Sequence, residues 1–507
     1  MNEPDLLDEA APPAPKRRRR WLGCGVVLLV LLAACGGFYG FLVYSTDRDL
    51  REAMAEADRL DPDGWQMDDL EAHRKILADE DNAALVVQAL KASLPPTWPP
   101  VRQAPAEPAE PGGGGAPLPP AAQAYADSDL SDLPPEVQLD EALLRDLRDA
   151  LAKAGPAALD AAHKLPALRD GRFPITYSPG YLGTILFSQD ARAAVNVPRV
   201  QAVVLAQEGK ADQALEATRG ALVAGRSVGD EPLFISMLIR VACDMVAVNT
   251  LERVLAQGEP SPGELKKMQE LLEAEAAEPL LLIAARGERA GMHELMKVMK
   301  SGEVKLTSLA GGGPGIVDVA GPTLTRGSHP RVLRLMTEYV ETAKLPPEQQ
   351  AERMNALETK VKQAKVNYDI VTALVMPAVL KAGEAYRRQQ ASLRCAAVAV
   401  AAERYRRDHQ GWPAGLDALV PNYLKEVPTD PYDGKPLRYK RLADGAVAYS
   451  VGPDRQDDGG ARNRSNARTQ GIDYTFRLWD ADRRRQPAAE VLPEPLAWDG
   501  DAGGPVP

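Results

Sequence analysis

KRRRR at positions 16–20 runs directly into WLGCGVVLLVLLAACGGFYGFLVY at positions 21–44. The second stretch holds 24 residues and no charge. Crossing a hydrocarbon layer as a helix takes about 20 apolar residues, so the run is long enough. A basic cluster on its N-terminal flank holds that end in the cytoplasm, and Trp21 and Tyr44 stand where interfacial aromatics anchor a span. This reading makes the chain a single-pass protein of the cell membrane. Residues 1–20 form a cytoplasmic tail, and everything after Ser45 lies on the extracytoplasmic, periplasmic side.

A second reading exists for the same stretch. Leu32-Ala33-Ala34-Cys35-Gly36 resembles the bacterial lipobox, in which the cysteine is lipidated after cleavage. On that reading Cys35 becomes the N-terminus. The apolar run nevertheless continues through Phe38, Tyr39, Phe41, Leu42 and Val43 to Tyr44, past the roughly 7–15 residues of a cleaved signal core. The uncleaved helix is the expectation.

Composition narrows the rest. The 55 basic and 67 acidic residues beyond position 20 leave a net charge of −12, which argues against nucleic acid as a partner. Aromatics are only 5% and alanine is abundant, so helices are favoured over sheets. Cys24 and Cys35 fall in the apolar run. Cys243 and Cys395 sit in apolar helical patterns and read as buried inert thiols; a bridge between them is the alternative in an oxidising compartment.

Residues 45–94 read as juxtamembrane helices, one over Asp47–Leu60 and one over Asp68–Leu94, the latter with Leu85, Val86 and Ala89 at helical spacing. Between Pro95 and Pro135 stand twelve prolines and a Gly112–Gly115 run, the composition of a disordered linker. Helical periodicity returns over 136–310. Within it, Leu205 to Leu215 with Gly209, Ala214, Ala221 and Leu222 resembles the turn and second helix of a tetratricopeptide repeat. That resemblance implies helical hairpins: glycine permits the reversal, and small alanines allow close helix approach. Ser261-Pro262-Gly263-Glu264 is a helix start, with Ser as N-cap and Pro at the first helical position. Glycines and prolines at 311–330 predict a break between helical blocks, followed by helices over 331–379.

The composition changes again near 380. A long helix carries Leu393, Ala397 and Val400 on one face and ends near Trp412-Pro413. After it come a short segment from Leu416 to Leu424, the turn Asp430-Pro431, and two strands flanking Ala443-Asp444-Gly445, a hairpin signal. A further strand follows at Tyr474–Trp479. This order resembles the globular domain of the major pseudopilins of type II secretion systems, with Ser450-Val-Gly-Pro-Asp454 standing where that family has its closing-loop motif. The family's membrane helix, which enters the globular part directly, has no counterpart here. The resemblance covers 380–480 and implies an α+β module with an antiparallel sheet; residues 481–507 read as a disordered tail.

The resemblance also implies a calcium site, since the family's closing loop binds that ion through carboxylates and carbonyls. Carried over, the ligands are Asp454, Asp473, the Val451 carbonyl and Asp457, with Asp458 nearby. Arg455, Arg462, Arg464 and Arg468 balance the four carboxylates, so a solvated loop held by Asp–Arg pairs is the competing expectation. Elsewhere the chemistry is sparse. Gly225-Arg-Ser-Val-Gly229 has the spacing of a hydrolase nucleophile elbow, but follows a helical stretch instead of a strand. His293-Glu294 has Lys297 where a zinc helix needs its second histidine. His73, His163, His329 and His409 are scattered. Gly311–Gly315 lacks the Lys-Ser/Thr end of a phosphate loop, and the carboxylates at Asp127–Asp132 and Glu273–Glu278 read as solvated surface.

Taken together, the sequence predicts a mainly α protein: a transmembrane helix, a helical-hairpin ectodomain and a small C-terminal α+β module. The expected function is that of a membrane-anchored scaffold with protein partners and no catalytic activity. A role beside a type II secretion or pilus-like apparatus is the alternative, and an extracytoplasmic hydrolase the weakest.

Overall fold

The computed structural model describes residues 17–96, 98, 130, 133–178, 184–305, 307, 316–366, 369–461 and 473–488. It is mainly helical, with one small three-stranded antiparallel sheet. The first helix, α1 (Arg17–Leu60), carries the apolar run and continues past it without a break. The expected separate helix at Asp47–Leu60 is therefore the C-terminal end of the same rod. No glycine or proline stands between Ser45 and Leu60, and Thr46 turns its hydroxyl back onto the Leu42 carbonyl at 2.9 Å, so nothing interrupts propagation. The segment Val27–Leu60 is long and apolar enough to cross a membrane, and Val27 to Leu32 stand exposed.

α2 (Met67–Ala72) and α3 (Ala83–Ser93) replace the single helix expected over Asp68–Leu94. Asn82 makes the division. Its Oδ1 accepts the Ala84 amide at 3.1 Å, capping α3, and also the Arg172 amide at 2.8 Å. α4 (Glu141–Ala154) and α5 (Pro156–Lys164) follow, then a two-residue ribbon of β1 (Ile175–Thr176) and β2 (Ile185–Leu186). α6 (Gln189–Ala194) leads into α7 (Asn196–Gln207) and α8 (Ala211–Arg226), which pack on one another across a turn at Gly209, where φ is +77°. Ala214, Ala221 and Leu222 are fully buried on α8. α9 (Phe234–Gln257) is apolar enough to span a membrane but lies mostly buried in the body. α10 (Pro262–Ala276) starts on its Ser261 cap as expected.

α11 (Leu280–Ser301), α12 (Ile316–Ala343), α13 (Pro347–Val366) and α14 (Ile370–His409) complete the helical part. The break expected at 311–330 is not found over its described portion: α12 runs through Pro322 and Pro330, while 311–315 lie outside the described residues. Two prolines remove amide donors, but packing on α1 and α11 holds the rod together; Thr325, Ser328 and His329 are all buried.

α14 is the spine. Its first half, with Val371, Met376 and Val379, belongs to a core shared with α11, α12 and α13. Its second half belongs to a core with α3, α8, α9, α10 and the sheet. Every residue from Cys395 to Ala402 is buried, so the expected one-sided face is buried all round. Position 380 accordingly falls inside a continuous helix. The sheet, ordered β3 (Arg438–Leu442), β4 (Gly445–Ser450), β5 (Tyr474–Trp479), lies on α14 and α9.

Two segments expected to be disordered are anchored where they are described. Trp98 is buried and its indole N–H donates to the Ala150 carbonyl, while the Pro135 carbonyl accepts from Gln257 at 2.7 Å. At the other end of the chain, Arg484 is buried against Glu403 at 2.8 Å, and the Arg485 amide donates to Ala256. Most of 95–135, with the Gly112–Gly115 run and most of Asp127–Asp132, and all of 489–507 lie outside the described residues. Cys243 and Cys395 are buried and are not joined by a disulfide.

Candidate functional site

The closing loop of the C-terminal sheet places its carboxylates on the loop's own backbone. Asp454 accepts the Gln456 amide at 3.0 Å. Asp457 accepts the Gly459 amide and the Tyr449 hydroxyl, each at 3.0 Å. Asp473 accepts the Gly460 amide at 2.7 Å; burial pushes its carboxyl up from the ordinary value, with Asp458 and Asp457 adding repulsion. Val451 is held through its amide, which donates to Asp430 at 2.9 Å. Among the described residues, these acids do not come together as a group able to hold a metal ion. Arg462, Arg464 and Arg468 lie outside those residues, as does Gly311–Gly315.

The organiser of that corner is Asp430, which is fully buried. It accepts from Ser450 Oγ at 2.8 Å, from the Tyr432 amide at 3.0 Å and from Arg438 at 2.7 Å, besides Val451. The Asp-Pro turn thereby locks the end of β4. Ser227 fares differently from a nucleophile. It is buried at the C-terminal end of α8, and its hydroxyl donates to the Ala224 carbonyl at 2.6 Å. The histidines are less scattered than the sequence suggests. His293 and His329 meet in the interior with ring nitrogens 3.0 Å apart, and Trp65 packs edge-on against His293. Burial drives both imidazoles down, His293 to about 4 and His329 to about 3.

A different place combines space with an unmatched charge. Where the start of α9, the middle of α11 and the first half of α14 converge, they leave a cavity of about 580 Å³. Its walls include Phe234, Leu238, Met292, Leu295 and Val379, and Glu288 is the charged residue lining it. The local sequence explains the opening: Gly291, Ala378 and Ala382 put small side chains on the facing helices. It also explains how the carboxyl is aimed. Gly287 passes so close to Pro232 that an added Cβ would lie 1.5 Å from the Pro232 carbonyl oxygen, which draws α11 against the chain entering α9. Glu288 then faces the first amide of α9, Phe234 N–H, at 3.5 Å. Burial pushes its carboxyl up to about 7, against the opposing pull of that amide.

Glu288 was legible in one respect. Leu281, Ala284, Ala285, Met292 and Leu295 form the apolar stripe of α11, and Glu288 stands in the middle of it. Nothing in the sequence says which elements close over that stripe. An apolar cleft with a perturbed carboxyl is the usual form of a small-molecule site, and its volume lies in the usual range of about 300–1,000 Å³. No family model, curated protein or solved structure matches this chain.

Proposed function

We propose that this chain is a membrane-anchored platform that presents its body to protein partners outside the cytoplasm and catalyses no reaction. The observation that carries this reading is the continuity of α1. Asp47 pairs with Lys300 at 3.1 Å and Arg326 at 3.0 Å, just beyond the apolar run. Higher up, Ala53 and Ala57 pack against Leu333. At the top, buried Asp61 meets Arg289 at 2.6 Å, Arg286 at 2.8 Å and Lys344 at 3.0 Å. Burial would raise that carboxyl, but the three cations hold it down at about 2. A rod clamped at three levels sets the distance and orientation of the body above the bilayer. A flexible tether would do neither, and a scaffold needs both. The KRRRR cluster supports the periplasmic orientation, and the uninterrupted helix through Cys35 supports an uncleaved span over a lipid anchor.

A second reading places the protein beside a type II secretion or pilus-like apparatus. It is favoured by the pairing of α14 with a three-stranded antiparallel sheet and a buried Asp-Pro turn, the order of parts that resembles a pseudopilin. The first half of α14 is buried among α11, α12 and α13. That helix is not available as a filament stem, so docking suits the module better than polymerisation. Cross-linking in intact cells followed by mass spectrometry tests both readings. The platform reading expects recurrent envelope proteins linked to the body; the second expects pseudopilins or their assembly proteins among them. Absence of any protein cross-link, or a C-terminal reporter active only in the cytosol, would overturn the proposal.

A further inference from the structure

We infer that the cavity between α9, α11 and α14 is a binding site for a small apolar molecule carrying a single amine, with Glu288 as its counter-charge. The reasoning begins with what the walls offer. Among the described residues lining the cavity, Glu288 is charged and none is cationic. Among the described residues it makes no ion pair on the protein, and the Phe234 amide approaches it only at 3.5 Å. The buried acids Asp61 and Asp430, by contrast, sit against guanidinium, ammonium, hydroxyl or amide donors at 3.0 Å or less. An acid facing an apolar space disfavours its own ionised form, and an ammonium entering that space removes the penalty. An alcohol of the same shape would fill the volume and leave the charge unmet. A carboxylate would add a second negative charge.

The cavity is also reachable. Ile235, on the first turn of α9, lines it and is 46% exposed. Among the described residues the body does not close over the site, and the apolar surfaces of Phe234, Leu238 and Leu295 continue inward from that edge. The occupant's apolar part rests on these side chains, and its nitrogen lies at Glu288, beside the start of α9.

The test uses the full chain in lipid nanodiscs at pH 8, with empty nanodiscs as the blank. Calorimetry is run with 4-phenylbutylamine, 1-adamantanamine, the matching alcohols and 4-phenylbutanoate. The amines should bind at least about tenfold more tightly than their alcohols, and the carboxylate least of all. Glu288→Gln keeps the shape and should erase the preference for the amines; Leu295→Trp should weaken amine and alcohol alike by filling the space. Equal affinity of amine and alcohol for the unaltered protein overturns the inference. So does a preference that survives in E288Q, or no binding of either amine. The comparison on the unaltered chain stands even if a variant does not fold.

Discussion

The two halves of the body differ in how completely they match their buried titratable groups. Around the sheet and α10, acids are matched: Glu275 lies against Arg240 at 2.6 Å and against Arg226, and Glu403 against Arg484 and Arg406, each at 2.8 Å. Asp244 is an exception that supports the rule. Burial and the neighbouring Glu275 raise its carboxyl well above the ordinary value, so it enters the network as an acid, bonded to Gln389. In the half nearer α1, Asp61 is matched as well, but Glu288 faces mostly apolar walls and His293 faces His329. Matched networks specify how helices meet; unmatched groups mark places where something outside the chain, or a proton, can act.

The largest effect expected from this contrast is at Glu275. Glu275→Ala leaves Arg226 and Arg240 buried without their shared partner and should cost about 3–5 kcal/mol, read by denaturant unfolding of the chain in nanodiscs. A loss below about 1 kcal/mol would show that the network on this side does not hold the helices, and the contrast would fail.

Glu288→Gln should act in the other direction. The folded carboxyl, at about 7, lies above its ordinary value, so the folded state holds its proton more tightly than the unfolded chain. Its contribution is favourable at low pH and is lost as pH rises through about 7. The variant should therefore be more stable than the parent by up to about 3 kcal/mol at pH 8, with no gain near pH 4.5. A gain independent of pH would mean that shape, not charge, is responsible.

The histidine pair has the reverse sign. Both folded values lie below the ordinary one, so the unfolded chain takes up protons first and stability falls as pH drops from about 6.5 towards about 4. Raised carboxyls oppose this slope, so the difference between variant and parent is the quantity to read. His329→Gln should lose about 2 kcal/mol less than the parent between pH 7 and pH 5. Unchanged slopes would remove the histidines from the contrast.

Smallest is Ser227→Ala. The hydroxyl makes one internal bond, so the loss should be about 1 kcal/mol, and ester hydrolysis by the chain should stay at background before and after. Hydrolysis that depends on Ser227 would revive the weakest functional reading.

Much of the architecture is readable residue by residue. The charge-free run, the Ser261 cap, the turn at Gly209, the β3–β4 hairpin around Asp444 and the strand at Tyr474–Trp479 are local signals, and each appears where its residues stand. Expectations resting on composition fared worse. Pro322 and Pro330 predict a break, yet neighbouring helices keep α12 whole. Arg484 and Arg485 read as part of a loose tail, yet buried Glu403 and the carbonyls of Ala206 and Gln207 hold them. Glu288 and Asp430 were visible as an acid in an apolar stripe and an acid before a proline; their importance was not.

By itself, then, the order of residues determined the long apolar rod with its basic end and the helical character of the body, because hydrophobic run length, capping and periodicity act between near neighbours. Only the tertiary structure decided that α14 belongs to two cores at once, that two distant histidines touch, and that one glutamate is left opposite a cavity. Those outcomes depend on which surfaces meet across hundreds of residues. Burial and the presence or absence of a partner charge are properties of that meeting.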